Sequence, residues 1–371
     1  MRERILLSAT LLAAVAVVLV VLSVSIEKRK LISPVEGTIS SIELNDGLTI
    51  DSVTNEEMAE PHNDTGFTPE LTDPIVKYDT LNVDFSHVNC AAVMNGQAVA
   101  GTDGGIFIYD PVDSSIQIIS AHNGLEKYRV TALLADGHTL FIGTDEGLFC
   151  RDEEGEINQL IPEVDAYITA LANSADTVYI GTANRGVLAY SLGSAVTITE
   201  MAPVTDIVVG DGELWVSVYD EGLFSYNGIQ WKKRFLESDT TAFDRIAALG
   251  YRYNRLFAGT PEGLWVFDGG SWDLYDPDDG LFECDVTSID FKGWKTLAGT
   301  RSWGHFEIFE DWVTPIFWTE ALEITAVASD GNLVVIGTPD QGIMIQNGEE
   351  VTMVNPGPDK IEIPVWASNF M

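Results

Sequence analysis

The chain has 371 residues, of which 57 are acidic and 20 basic, for a net charge of −37 and an isoelectric point near 4.1. A polyanion of this strength repels nucleic acid and anionic lipid headgroups, so neither is expected as a partner. The hydrophobic fraction of 46% is enough for a sizeable core, and length alone allows one large β domain with additions.

The N-terminus opens with an uncharged run from Ile5 to Ile26, 22 residues long. A helix of that length, at about 1.5 Å per residue, covers a bilayer core of about 30 Å. Residues 1–30 therefore read as a membrane-targeting segment with one hydrophobic helix. An uncleaved anchor fits the length, since signal-peptide apolar regions usually run about 7 to 15 residues; Ser23-Val24-Ser25 leaves a cleaved signal open. Arg2 and Arg4 favour a cytoplasmic N-terminus, whereas Lys28, Arg29 and Lys30 weaken that rule. Either reading puts the remainder outside the cytoplasm, at the cell surface, in the periplasm or secreted. No Cys follows the apolar run, so nothing points to a lipoprotein.

Residues 31–74 carry ten acidic side chains and no Lys or Arg. They read as a self-repelling tether, with a small hairpin around Asn45-Asp46-Gly47 as one option.

From residue 75 onward a phrase recurs. It reads AVAGTDGGIFIYD at Ala98, LFIGTDEGLFC at Leu140, VYIGTANRGVLAY at Val178, LWVSVYDEGLFSY at Leu214, LFAGTPEGLWVFD at Leu256, TLAGTRSWGHFEIF at Thr296 and VVIGTPDQGIMIQ at Val334. The Gly of the Gly-Thr pair, replaced by Ser217 in the fourth copy, advances in steps of 42, 38, 36, 42, 40 and 38 residues. A period in this range signals a repeat architecture. Before each copy stands a Val/Ile/Thr-rich run closed by turn residues, such as VTALLADGHT at Val130 or VTSIDFKGWK at Val286. A third run follows the lone Gly and a weaker fourth completes the unit. Four strands in about 40 residues is the size of a propeller blade. Gly standing shortly after Gly-Thr suits a turn with positive φ, the Thr hydroxyl suits the turn backbone, and the Gly before it leaves room for a neighbouring sheet. The fold class is thus all-β: a seven-bladed β-propeller of four-stranded blades over 75–371. The first blade's outer strand is expected from the chain ends, by PIVKYDTLN before Val88 or by the tail after Ile361.

These residues resemble the two-component regulator propeller repeat of extracytoplasmic sensor proteins. The phrases HNGLEKYRVTAL at His122 and DDGLFECDVTSI at Asp278 are similar to that repeat's Asp-Gly-Leu linker. The resemblance covers roughly residues 75 to 354 and implies the fold and a place in extracytoplasmic sensing. Members are commonly fused to a kinase or other output domain; none follows here, a departure that leaves direct signalling by this polypeptide unexpected.

Chemistry is sparse. Cys90, Cys150 and Cys284 have no zinc spacing and an odd count, and read as small buried hydrophobes. His62, His87, His122, His138 and His305 form no ligand pair, and no nucleophile elbow, phosphate loop or sialidase box occurs. No catalytic residue, metal site or cofactor is expected, so the protein reads as a non-enzyme. A lyase or hydrolase assembled from distant loops is the less favoured alternative, and an envelope scaffold the other. The acidity reads as solvation, with high-salt adaptation or calcium as open options; DPDDG at Asp276 reads as a plain turn. Recurrent aromatics such as Trp215 and Trp265 read as packing residues. The irregular loop residues Arg185, Tyr219, Asp220, Arg301, Trp303 and His305 would gather on one rim, suited to a small polar or anionic ligand, a glycan, a peptide or an envelope protein.

Overall fold

The structure is a computed structural model that describes residues 78–120, 125, 129–162, 165–234, 242–282 and 284–364. The expected membrane segment and acidic linker lie outside the described residues. Among the described residues no helix is long and apolar enough to cross a membrane.

Seven four-stranded antiparallel sheets follow one another along the chain, each a meander with its strands in sequence order. They are blades 1 to 7, over 88–119, 130–159, 168–199, 204–234, 248–275, 286–315 and 326–354. The local rules produce this directly. Val, Ile and Thr favour the pleated conformation, and Asn95-Gly96, Asp211-Gly212 and their counterparts close the first hairpin with positive φ. The chain then rises, turns the Gly-Thr corner, descends, turns again and rises to the next blade. One face of the ring consequently carries the second-to-third strand turns and the links between blades (the loop face). The opposite face carries the two hairpins of each blade (the hairpin face).

The core is divided into seven apolar wedges, one between each pair of neighbouring blades. Leu125 and Leu281, from the Asp-Gly-Leu links, are fully buried in two of them. The Gly of the Gly-Thr pair faces these wedges. A Cβ on Gly143 would come 2.5 Å from Ile168 Cγ2 of the next blade, and one on Gly337 would come 2.6 Å from Val88 Cγ1. The Thr that follows is buried and ties its own turn: Thr144 Oγ1 donates to Gly147 O at 2.9 Å and accepts from Glu146 N at 3.2 Å, and Thr102, Thr182, Thr260, Thr300 and Thr338 repeat the pattern.

The ring closes differently from the sequence expectation. Blade 1 owns its outer strand, Ile116–Ile119, paired on Gly105–Tyr109. The repeat runs in phase with the blade, so no strand is left to exchange. The chain ends pair with each other instead, Tyr78–Asp84 antiparallel to Pro358–Pro364 in a separate two-stranded sheet. Closure rests on the wedge of Phe85, Val88 and Phe107 with Val335 and Ile343, and on Val88 N–H donating to Thr338 O at 3.0 Å.

Candidate functional site

The inner strands of all seven blades surround a cavity of 520 Å³ on the ring axis. Strand edges that would otherwise be bare are joined around it, blade to neighbouring blade, by side chains. At the second position of the inner strands of blades 1, 2 and 6, Asn89 Nδ2 donates to Val130 O at 3.0 Å, Thr131 Oγ1 to Ile168 O at 2.7 Å, and Thr287 Oγ1 to Ile324 O at 2.5 Å. Thr169 stands at the same position and Thr325 just before the inner strand of blade 7, and their buried hydroxyls have no hydrogen-bond partner among the described residues.

Two carboxylates serve the same ring. Asp206 accepts Leu249 N–H of blade 5 at 2.6 Å and its neighbour Ile207 N–H at 2.8 Å. Asp290 accepts Ser329 N–H of blade 7 at 2.6 Å. Burial pushes the Asp206 carboxyl up to about 7 against the pull of its two amide bonds. Burial likewise raises Asp290 to about 6, opposed by the Phe291 and Ser329 amides and the charge of Arg252. Each residue keeps some exposed surface, yet its depth in the ring costs the charged form more than the amides return. Neither residue stands among the candidates read from the sequence. The signal was present: VTD at Val204 and SID at Ser288 place acids in runs that are otherwise apolar or hydroxylic.

The loop-face residues are only partly available. Arg185 donates from Nε to Asp165 O at 2.7 Å, tying its turn to the link that enters blade 3. Tyr219 is exposed, and Asp220 takes a positive φ of 60° with its N–H on Asp244 O. Arg301 lies in ion pairs with Asp285 and with Glu323, so its charge is already met. Trp303 is 40% exposed and meets Phe282 edge-on at 6.2 Å. His305 is 1% exposed and lies inside blade 6 instead of on the rim. Thr319 Oγ1 donates to Ile316 O, so it receives His305 Nδ1 at 3.2 Å as an acceptor. That leaves Nε2 as a buried lone pair with no partner among the described residues. Burial, helped by the charge of Lys292, holds this imidazole down at about 3.

Cys90, Cys150 and Cys284 were expected as buried small hydrophobes; they are half-buried, Cys90 against the wedge between blades 1 and 2, and none is in a disulfide. Burial pushes the Cys90 and Cys150 thiols up. Asp276 caps a short 3-10 turn, Pro277–Asp279, accepting Asp278 N–H at 2.8 Å, in keeping with the plain turn expected there. Among the described residues no group of three or more His, Cys, Asp or Glu could hold a metal ion.

No known family's sequence profile matches the chain, and no curated protein matches it by sequence. Among solved structures it is similar to the extracellular domain of the putative hybrid two-component system BT4673 from B. thetaiotaomicron. That likeness has 20% identity and a TM-score of 0.58 over 72% of this chain and 39% of that one. It is also similar to the WD40 β-propeller domain of Doa1, with 14% identity and a TM-score of 0.57 over 74% of this chain and 98% of that one. The computationally designed protein Ika8 gives 19% identity and a TM-score of 0.52 over 74% and 87%. At these identities the likeness is one of fold.

Proposed function

We propose that the protein is an exported, membrane-tethered and non-catalytic β-propeller that binds a small polar ligand in extracytoplasmic sensing. The observation that carries the reading is the preformed axial cavity of 520 Å³, a volume in the range of ligand pockets. Polar side chains line it beside apolar ones, Asn89, Thr131, Thr205, Asp206, Asp290 and Ser329 among them. An apolar ligand would leave those groups stranded, whereas a polyol, amino acid or short peptide would use them. The fold likeness to an extracellular two-component domain supports the location, as does the uncharged run at Ile5–Ile26. Arg185, Tyr219, Asp220, Arg301 and Trp303 share the loop face and would frame the cavity's mouth. A sensor of this kind needs differential binding and no bond chemistry, which suits a ring whose carboxylates are engaged by backbone amides.

The test is a thermal-shift panel of sugars, amino acids, organic acids and short peptides on the full chain in detergent. A stabilising compound whose effect disappears in Leu133→Trp with Leu171→Trp, which would fill the cavity, supports the axial site. An effect lost only in Arg301→Ala with Trp303→Ala moves the site to the rim. A panel without effect on parent or variants sinks the ligand reading.

A further inference from the structure

The first hairpin of each blade ends in a turn on the hairpin face, and two of the seven differ in kind. Blade 5 turns through Arg252-Tyr253-Asn254-Arg255 and blade 6 through Lys292-Gly293-Trp294-Lys295. The other five, around Asn95, Gly137, Ala175, Asp211 and Asp330, contain no Lys or Arg. Four cations at two adjacent tips stand out in a chain of net charge −37. Between them sit two exposed rings, Tyr253 at 50% and Trp294 at 72%, stacked at 4.3 Å with an interplanar angle of 13°. Tyr253 donates its hydroxyl to Gly293 O at 3.1 Å, which fixes one tip to the other. Arg252 lies over the Tyr253 ring at 5.1 Å and the Phe291 ring at 5.6 Å. Lys295 pairs with Glu307 and Lys292 bonds Gln346, while Arg252 and Arg255 enter no ion pair among the described residues. The outer hairpin of blade 6 adds exposed Phe309 and Trp312 to the same face, with Glu310 and Asp311 in the turn between them.

We propose that the paired hairpin tips of blades 5 and 6 form a docking surface for an acidic polypeptide with an apolar anchor. Large apolar rings held rigid and flanked by arginine are the composition of interface hot spots, and the large share of both rings that the stack leaves exposed costs solubility in a monomer. A basic partner would find attraction over most of this molecule, so only an acidic one needs this patch. The arrangement also selects the partner's shape. A flat anionic bilayer pressed on this face would meet Asp136, Asp176, Asp211, Glu213 and Asp330 on the neighbouring hairpins together with the four cations. A long polynucleotide would likewise run off the patch into acidic surroundings. A polypeptide segment covers two tips and stops there. This surface lies opposite the loop face and does not depend on the axial ligand.

The experiment measures binding of a labelled Glu-Leu repeat peptide to the full chain in detergent at low salt. A Gln-Leu peptide, phosphatidylglycerol vesicles and a single-stranded oligonucleotide are run beside it. The acidic peptide is expected to bind, and to bind more weakly as salt rises. Arg252→Glu with Arg255→Glu should weaken it at least about tenfold, and Trp294→Ala by about tenfold, the loss usual for an interface anchor. Trp294 is exposed enough for its variant to fold if the double charge reversal does not. Binding of the neutral peptide at equal strength, tighter binding of vesicles or oligonucleotide, peptide binding unchanged in the variants, or no peptide binding would each overturn the proposal.

Discussion

The junction between blades 7 and 1 and the junction between blades 4 and 5 do the same work with opposite chemistry. At the first, Gly337 lies bare against Val88, and the wedge around it is aliphatic and aromatic. At the second, Ser217 replaces the glycine, and its hydroxyl bonds Thr205 Oγ1 at 2.7 Å and Asp206 N at 3.0 Å. Asp206 then reaches across to Leu249 N–H. The ring therefore tolerates a polar seam wherever backbone amides meet the added groups, which is the general condition for burying them.

The largest effect should come from forcing a side chain into the dry junction. Gly337→Val is expected to cost about 3 kcal/mol or more in unfolding free energy, because the close approach of Val88 leaves no space and a packed core absorbs extra atoms by backbone shifts. Denaturant unfolding of the variant measures this, and a cost below about 1 kcal/mol would show that the blades can slide apart there.

The polar seam should respond to pH, with the sign set by its carboxyls. Asp206 has its native value raised to about 7, so the folded ring holds a proton that the unfolded chain releases near 3.9. The stabilisation by that proton is present below the unfolded value and is lost as pH rises towards 7, at up to about 1.4 kcal/mol per pH unit. Asp206→Asn should flatten this limb. It also surrenders one of two amide bonds, so the variant starts below the parent at low pH and overtakes it as pH rises. His305 gives the opposite limb. Its native value of about 3 means the neutral form is stabilised above about 6.5, and that stability is lost as pH falls. His305→Leu restores the aliphatic side chain that Ile106, Leu148, Val187, Leu223, Leu264 and Ile343 supply at this place in the other blades, and should remove the acid limb. Melting curves across pH for the two variants separate these effects from the general repulsion of an acidic chain.

Ser217→Gly converts the seam towards the common pattern and should cost about 1 to 2 kcal/mol, because Asp206 N–H and Thr205 Oγ1 lose their partner. A stabilised variant would mean the seam is strained. The smallest effect is expected at the chain ends. Deleting residues from 358 onward removes one strand of the separate two-stranded sheet and leaves all seven blades complete, so the melting temperature of the ring should stay within a few degrees. A collapse of the transition would show that the ribbon braces the ring.

Much of the ring was legible in the residues. The seven copies, the four strands in each, the Gly-Thr corners and the turn glycines follow from local preferences, which need only neighbours a few residues apart. Trp215 and Trp265 were readable as packing residues for the same reason, and both are buried. The candidate site was much less legible. Its decisive contacts join blades: Asp206 and Leu249 are 43 residues apart, and Asp290 and Ser329 are 39 apart. Spacing in the sequence shows that an acid interrupts an apolar run and does not show which amide it will meet. The same holds for Arg301, whose charge is met by Asp285 and Glu323, and for His305, which a single step along the strand turns from the rim into the core. Sequence by itself determined the repeat, its blade count and its corners, because turn geometry and strand preference are local. Tertiary structure alone decided which polar groups are spent on holding blades together and which, such as the Tyr253 and Trp294 rings, are left facing outward, because those partners come together only when the ring closes.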